Sequence, residues 1–179
     1  AKQPGAEILY DLRSSWVVPE EIRKAGGKPI ECHVGHGLIK KQMREEGGYF
    51  AGELSSHYYF SDFYVTDNGD LAMLYMIKLL LDEKEPLSEI VAPLRRYYHS
   101  GEINSEVKDI PAVLKRLEDI YGPKAKSVTR IDGYKAEFED WWFNVRPSNT
   151  EPLIRLNLEA KSKEKMEEKV EELLAEIRR

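Results

Sequence analysis

The chain has one cysteine among 179 residues, Cys32, which excludes an internal disulfide framework and fits a reducing compartment; a cytoplasmic location is the expectation. It has no excess of positive charge. Lys and Arg number 27 against 32 Asp and Glu, a net charge of −5, so nothing electrostatic points to a nucleic-acid partner. Long hydrophobic runs are absent too. The longest, Leu71 to Leu81, is interrupted by Lys78 and is too short to span a bilayer, so no membrane partner is expected. The opening residues, Ala1-Lys2-Gln3-Pro4-Gly5, include no signal-peptide core and no initiating Met, and read as a chain that starts in the middle of something. No internal repeat or low-complexity tract appears. What remains is a globular composition, a third charged and a tenth aromatic, with room for one large domain or two small ones.

The first half alternates strand and helix signals. Residues 7–12, 30–34 and 49–53 read as strands; 19–25 and 38–46 read as helices, each stopped by a Gly-Gly pair. Asp67 or Asn68 caps a long helix from about Asp70 to Asp82. It is apolar on nearly every face, so burial against a sheet is expected. This alternation predicts a three-layer α/β domain with a mostly parallel sheet over 1–98. After Glu83-Lys84-Glu85-Pro86 a helix over 87–97 leads to a strand over 102–107. A helix opened by Asp109-Ile110-Pro111 follows. Strands over 127–131 and 134–139 flank Asp132-Gly133, a two-residue hairpin signal. Strands over 141–145 and 154–160 and a helix capped by Ser162 complete an α+β domain over 99–179, with a mainly antiparallel sheet.

Three clusters invite chemistry and resist it. Cys32 and His33 are neighbours on a strand and point to opposite faces, so they and His36 make a poor metal site. Asp67-Asn68-Gly69-Asp70, with Asp62, lacks the spaced carboxylates of a calcium loop and reads as a turn and helix cap. No metal ligand is assigned. Ser55-Ser56-His57 has no orienting acid in view and places hydroxyl and imidazole on adjacent residues, poorly for a nucleophile and its base. The Tyr-rich stretch 58–64 and Met73 and Met76 read as core packing.

The most informative stretch is Arg146-Pro147-Ser148-Asn149-Thr150-Glu151-Pro152, between two strand-like runs. A guanidinium, two hydroxyls and an amide on one loop have the chemistry of a phosphate cradle. Arg155 should face away from Ile154, Leu156 and Leu158 and add a second charge. The same residues also suit an ordinary polar turn. This loop resembles the phosphate-binding loop of the α-D-phosphohexomutases, the phosphomannomutase/phosphoglucomutase family. Gly52-Glu53-Leu54-Ser55-Ser56-His57 is similar to that family's sugar-recognition loop, and Val34-Gly35-His36-Gly37-Leu38-Ile39-Lys40 to its Gly-His loop ahead of a helix. The three motifs stand in the family's order across most of the chain.

The resemblance implies an enzyme of four domains around a deep cleft. A phosphoserine of the first domain and a Mg²⁺ held by the second move a phosphate between C1 and C6 of a hexose through a bisphosphorylated sugar, with glucose 1,6-bisphosphate or a similar compound as activator. This chain shows neither nucleophile loop nor metal loop, so it corresponds to the third and fourth domains. Its implied partners are the phosphosugar and the missing N-terminal domains of the same chain. Arg146, Ser148, Asn149 and Thr150, with Arg155, would bind the non-reacting phosphate. Glu53 and Ser55 would read sugar hydroxyls at O3 and O4, and His57 would be the general acid/base. Gly35, His36 and Arg13 would line the substrate site. Ser56 stands where the family has Gly, and Arg13 where Lys is usual. Two rival readings remain. A phosphoglucosamine mutase shares the architecture but usually has Gly at the position of Asn149. A stand-alone phosphosugar-binding module would follow if the gene product began at residue 1.

Overall fold

A computed structural model of the chain describes residues 3–148, 151 and 153–179. It divides into two compact units, 1–96 and 97–179. In the first, β1 (Glu7–Asp11), β2 (Lys28–Cys32) and β3 (Phe50–Gly52) are parallel, joined by α1 (Val17–Lys24) and α2 (His36–Glu45). The apolar stripe of α2, Ile39 and Met43, packs with Leu9, Cys32, Ala51 and Tyr59 on one face of the sheet. Loops at the C-terminal ends of parallel strands are where open α/β sheets bind ligands. Here those ends deliver Asp11-Leu12-Arg13, His33-Val34-Gly35 and Glu53 to one region.

The sheet is mixed rather than mostly parallel. β4 (Tyr58–Phe60), in the Tyr-rich stretch read as core packing, and β5 (Thr66–Asp67), whose Asp67 reads as part of a turn and helix cap, extend it antiparallel in the order β2-β1-β3-β4-β5. They are too short, at three and two residues, to show an alternating pattern. The long apolar helix, α3 (Gly69–Glu83), is capped by Asn68, whose Oδ1 accepts the Leu71 N–H at 2.7 Å. Contrary to expectation it has no buried residue, and Met73, Leu74, Tyr75, Met76 and Ile77 are exposed. A helix apolar all round needs partners on several sides. Among the described residues, the sheet face it meets through Phe60 and Tyr75 instead borders a cavity of about 1050 Å³. The next helix, α4 (Leu87–Val91), is shorter than the pattern over 87–97 suggests. It passes into a 3-10 turn over Ala92–Leu94, where Pro93 removes a backbone donor.

In the second unit an antiparallel sheet runs β6-β10-β9-β8-β7: β6 (Tyr98–Glu106), β7 (Ser127–Thr129), β8 (Tyr134–Glu137), β9 (Trp141–Pro147) and β10 (Leu153–Ala160). Helices α5 (Ile110–Tyr121) and α6 (Lys163–Ile177) cover one face, burying Val113, Leu117, Tyr121, Leu173 and Ile177 against Phe143, Val145, Ile154, Leu156 and Leu158. β6 begins before the expected strand over 102–107 and takes in Ser100-Gly101, with a positive φ at Gly101 and a register irregularity in the pairing with β10. The Asp132-Gly133 hairpin is not a two-residue turn, since β7 stops at Thr129. The loop over 130–133 bends onto β9, where Asn144 Nδ2 donates to the Asp132 carbonyl at 3.0 Å. Gly133 (φ +71°) lies so close that an added Cβ would come within 2.3 Å of the Val145 carbonyl oxygen and 2.6 Å of Arg146 Cα.

Candidate functional site

In the first unit the loop over 53–57 is closed by Glu53 N–H donating to the His57 carbonyl at 2.9 Å and Ser56 N–H to the Glu53 carbonyl at 3.0 Å. That turn holds Ser56 at φ 66°, so the position demands the left-handed conformation that Gly adopts freely; Ser56 keeps the loop's shape at a cost in strain. Ser55 and His57 are exposed at its tip. Beneath them Glu53, 7% exposed, is held from several sides. Its Oε1 accepts the Tyr59 hydroxyl at 2.5 Å, and its Oε2 accepts the Gly35 N–H at 3.2 Å and lies 3.8 Å from Arg13 Nη2. Gly35, at φ 116°, is the N-cap of α2, and His36 opens that helix exposed to solvent.

Arg13 is buried. Asp11 Oδ1 accepts its backbone N–H at 2.7 Å and its Nε at 3.1 Å, and Asp11 Oδ2 accepts Nη2 at 2.8 Å. The same Oδ2 accepts the Leu54 N–H at 2.8 Å. Asp11 thus ties the end of β1 to a loop 43 residues away, and Arg13 sits between two carboxylates. Fully paired buried charges of this kind fix geometry more than they add stability. Burial, with the Glu53 hydrogen bond and charge, pushes the Tyr59 hydroxyl well above the usual tyrosine range, so it stays a donor to Glu53.

In the second unit Arg146 on β9 and Arg155 on β10 are directly opposite in the antiparallel register. As expected, Arg155 faces away from Ile154, Leu156 and Leu158, which fill the core. Two like charges opposite one another repel. Glu102 of β6 stands between them, Oε2 3.4 Å from Arg146 Nη2 and Oε1 3.2 Å from Arg155 Nη1. Arg155 Nη2 donates to Ser148 Oγ at 3.2 Å and lies 3.5 Å from Glu151 Oε2. Ser148 Oγ also accepts the Glu151 N–H at 3.3 Å, drawing in the loop's far side. Arg146 is 4% exposed, and the Nε atoms of both arginines are buried without an acceptor among the described residues. Asn149 and Thr150 lie outside the described residues.

The predicted residues therefore gather as two clusters, Arg13, Gly35 and Glu53 below Ser55 in the first unit, and Arg146, Ser148 and Arg155 in the second. Sequence reasoning missed Asp11, Tyr59, Asp67 and Glu102. Each is a supporting group: the partners of Asp11 and Glu102 lie 43 and 44 residues away, those of Tyr59 and Asp67 6 and 10. Only Asp11, at the C-terminal end of a parallel strand, occupies a position that topology marks. Among the described residues no three His, Cys, Asp or Glu side chains cluster as a metal site. No helix among them is long and apolar enough to cross a membrane.

Comparison with known proteins decides the family. Residues 1–97 match the model of phosphoglucomutase/phosphomannomutase α/β/α domain III, and residues 102–176 that of the phosphoglucomutase/phosphomannomutase C-terminal domain. The chain belongs to the phosphoglucomutase/phosphomannomutase family. It corresponds to the C-terminal half of an α-D-phosphohexomutase. A phosphomannomutase of Methanocaldococcus jannaschii is 44% identical over 172 residues, 96% of this chain and 38% of that protein. One from Escherichia coli is 38% identical over 176 residues, 97% of this chain and 39% of that protein. The chain thus spans under two-fifths of the length of these curated relatives. A solved family protein from Burkholderia thailandensis superposes with a TM-score of 0.86 at 29% identity, covering 98% of this chain and 38% of its own. An Aspergillus fumigatus N-acetylphosphoglucosamine mutase, solved with GlcNAc-6P and magnesium, shares the fold, with a TM-score of 0.70 at 12% identity over 97% of this chain and 39% of its own.

Proposed function

We propose that this chain is the substrate-recognition half of a phosphohexomutase that interconverts hexose 1-phosphate and 6-phosphate, with mannose or glucose as the sugar. The first unit reads the sugar and the second binds the non-reacting phosphate. The observation that carries this reading is the opposed pair Arg146 and Arg155 at the mouth of the 148–153 loop. Two guanidiniums facing one another, whose buried Nε–H groups have no acceptor among the described residues, are an arrangement that a phosphate would complement, because its oxygens accept from planar forks of donors. Glu102 supplies part of that negative charge when no phosphate is bound. The sequence of the same loop also offers the amide of Asn149 and the hydroxyl of Thr150, which lie outside the described residues.

In the first unit Glu53 accepts hydroxyls at O3 and O4 through lone pairs left over from Tyr59 and Gly35, with Ser55 beside it. Contacts there are blind to C2, where mannose and glucose differ, which supports acceptance of both sugars. Arg13, paired with Asp11 and 3.8 Å from Glu53, helps to orient that carboxylate, and His36 and Gly35 frame the site from the start of α2. His57 moves a proton at the attacking or leaving hydroxyl. Phosphoserine and Mg²⁺ chemistry belongs to the N-terminal domains, so this chain alone should not turn over substrate. The Asn at 149 favours the hexose enzymes over phosphoglucosamine mutase.

The test is kinetic. In the full-length enzyme Arg146→Ala should cost about 2–4 kcal/mol in kcat/KM, part of it in kcat, because remote phosphate binding positions the reacting end. Both constants remaining within twofold of wild type would reduce the loop to a turn.

A further inference from the structure

Asp67 lies outside every motif that points to the family, yet its carboxylate is aimed at the proposed acid/base. The antiparallel pairing of β4 and β5 sets Asp67 opposite Tyr59 and brings its side chain back to the end of the 53–57 loop. Oδ1 accepts the Tyr58 N–H at 3.1 Å, and Oδ2 lies 2.5 Å from His57 Nδ1. One carboxylate thus holds two consecutive residues, a backbone donor with one oxygen and a ring nitrogen with the other. The Tyr58 contact fixes which oxygen faces the imidazole.

A carboxylate only accepts, and a neutral imidazole has one donor nitrogen and one acceptor nitrogen. The nitrogen facing Asp67 must therefore be the one that carries the proton, which leaves the lone pair on Nε2. The imidazole is half exposed, so Nε2 is open to a ligand above the loop. We infer that Asp67 is a positioning residue that sets the tautomer and ring orientation of His57, making Nε2 the end that takes a proton from a sugar hydroxyl and returns it. This inference rests on the acid/base role proposed for His57. The bland alternative, an ion pair that only adds stability, has little to recommend it, because pairs this exposed contribute little.

Asp67→Asn separates the two. Its carbonyl oxygen keeps the Tyr58 N–H, so the strand pairing survives, and its amide then donates to His57 Nδ1, which drives the proton to Nε2 and removes the acceptor. The first readout needs no activity. Nitrogen-15 spectra of the imidazoles in this chain, at alkaline pH and with His57 assigned by its loss in a His57→Gln variant, should show His57 mainly Nδ1-protonated in the native chain and mainly Nε2-protonated in Asp67→Asn. The same tautomer in both proteins would overturn the inference.

The second readout is kinetic, in the full-length enzyme. Asp67→Asn should lower kcat on the order of 100-fold with KM nearly unchanged. Added to His57→Ala, it should cost little more, since both act through one imidazole. Unchanged kcat in Asp67→Asn alone, or fully additive losses, would overturn the inference. If His57→Ala were itself fully active, the acid/base role would fall and the kinetic part of the inference with it, while the tautomer spectra would still decide whether Asp67 orients the ring.

Discussion

Gly133→Ala is the sharpest probe of how the scaffold holds Arg146, one of the two arginines proposed to bind phosphate. The added methyl would come within 2.3 Å of the Val145 carbonyl oxygen, 2.6 Å of Arg146 Cα and 2.7 Å of Arg146 Cβ. These atoms belong to the middle of a five-stranded sheet, so no flexible side-chain end can swing aside. Forcing a left-handed φ on Ala costs about 1 kcal/mol, and overpacking against rigid backbone about 1–3 kcal/mol more. A loss of about 2–4 kcal/mol should lower the melting temperature of the second unit by roughly 10–25 °C. Trp141 and Trp142 belong to that unit and Trp16 to the other, so single-tryptophan variants followed by fluorescence assign the transition. Relief of the clash pushes β9 at Arg146, so phosphate affinity should fall as well, even well below the new melting temperature. A melting temperature within 2 °C of wild type, or a large stability loss with unchanged phosphate affinity, would refute the idea that this contact sets the arginine.

Two further outcomes follow from the first unit. Ser56→Gly relieves left-handed strain of about 1–2 kcal/mol against a loss of up to about 1 kcal/mol from the freer unfolded chain, so urea denaturation should show a net gain of about 0–2 kcal/mol; a loss beyond about 1 kcal/mol would contradict this strain. Cys32 is buried, and that burial, followed by the charges of Asp11 and Glu53, pushes its thiol up from its ordinary value. A pKa higher in the folded state means that the thiol's stabilising contribution is complete below the free-thiol pKa of about 8.5 and is lost as pH rises beyond it. A thiol reagent at pH 8 should therefore label the native chain on the order of 100-fold more slowly than the urea-unfolded chain, since only the thiolate reacts. Equal rates would show that Cys32 is not sequestered.

Much of this architecture is legible in the sequence, because apolar periodicity and glycine stops carry over large elements. The α2 stripe of Ile39 and Met43 and the core-facing run of Ile154, Leu156 and Leu158 lie where their spacing puts them. The short antiparallel strands Tyr58–Phe60 and Thr66–Asp67 were not legible, since two or three residues cannot display a period. The exposure of α3 was hidden for a different reason: an all-apolar pattern states a need for partners without saying whether they are in the chain. At the site, donors to a ligand announce themselves as motifs, as in Arg146-Pro147-Ser148. The groups that orient those donors do not. Glu102, Asp11 and Asp67 act at distances of 44, 43 and 10 residues, through pairings that only the folded sheet creates.

Titrating this chain with inorganic phosphate, and following backbone and arginine side-chain resonances, decides whether the 146–155 region is a phosphate site. Shifts should concentrate at Arg146, Ser148 and Arg155, weaken as salt is raised and vanish in Arg146→Ala. Shifts scattered over the surface, or an unaltered response in Arg146→Ala, would contradict the account.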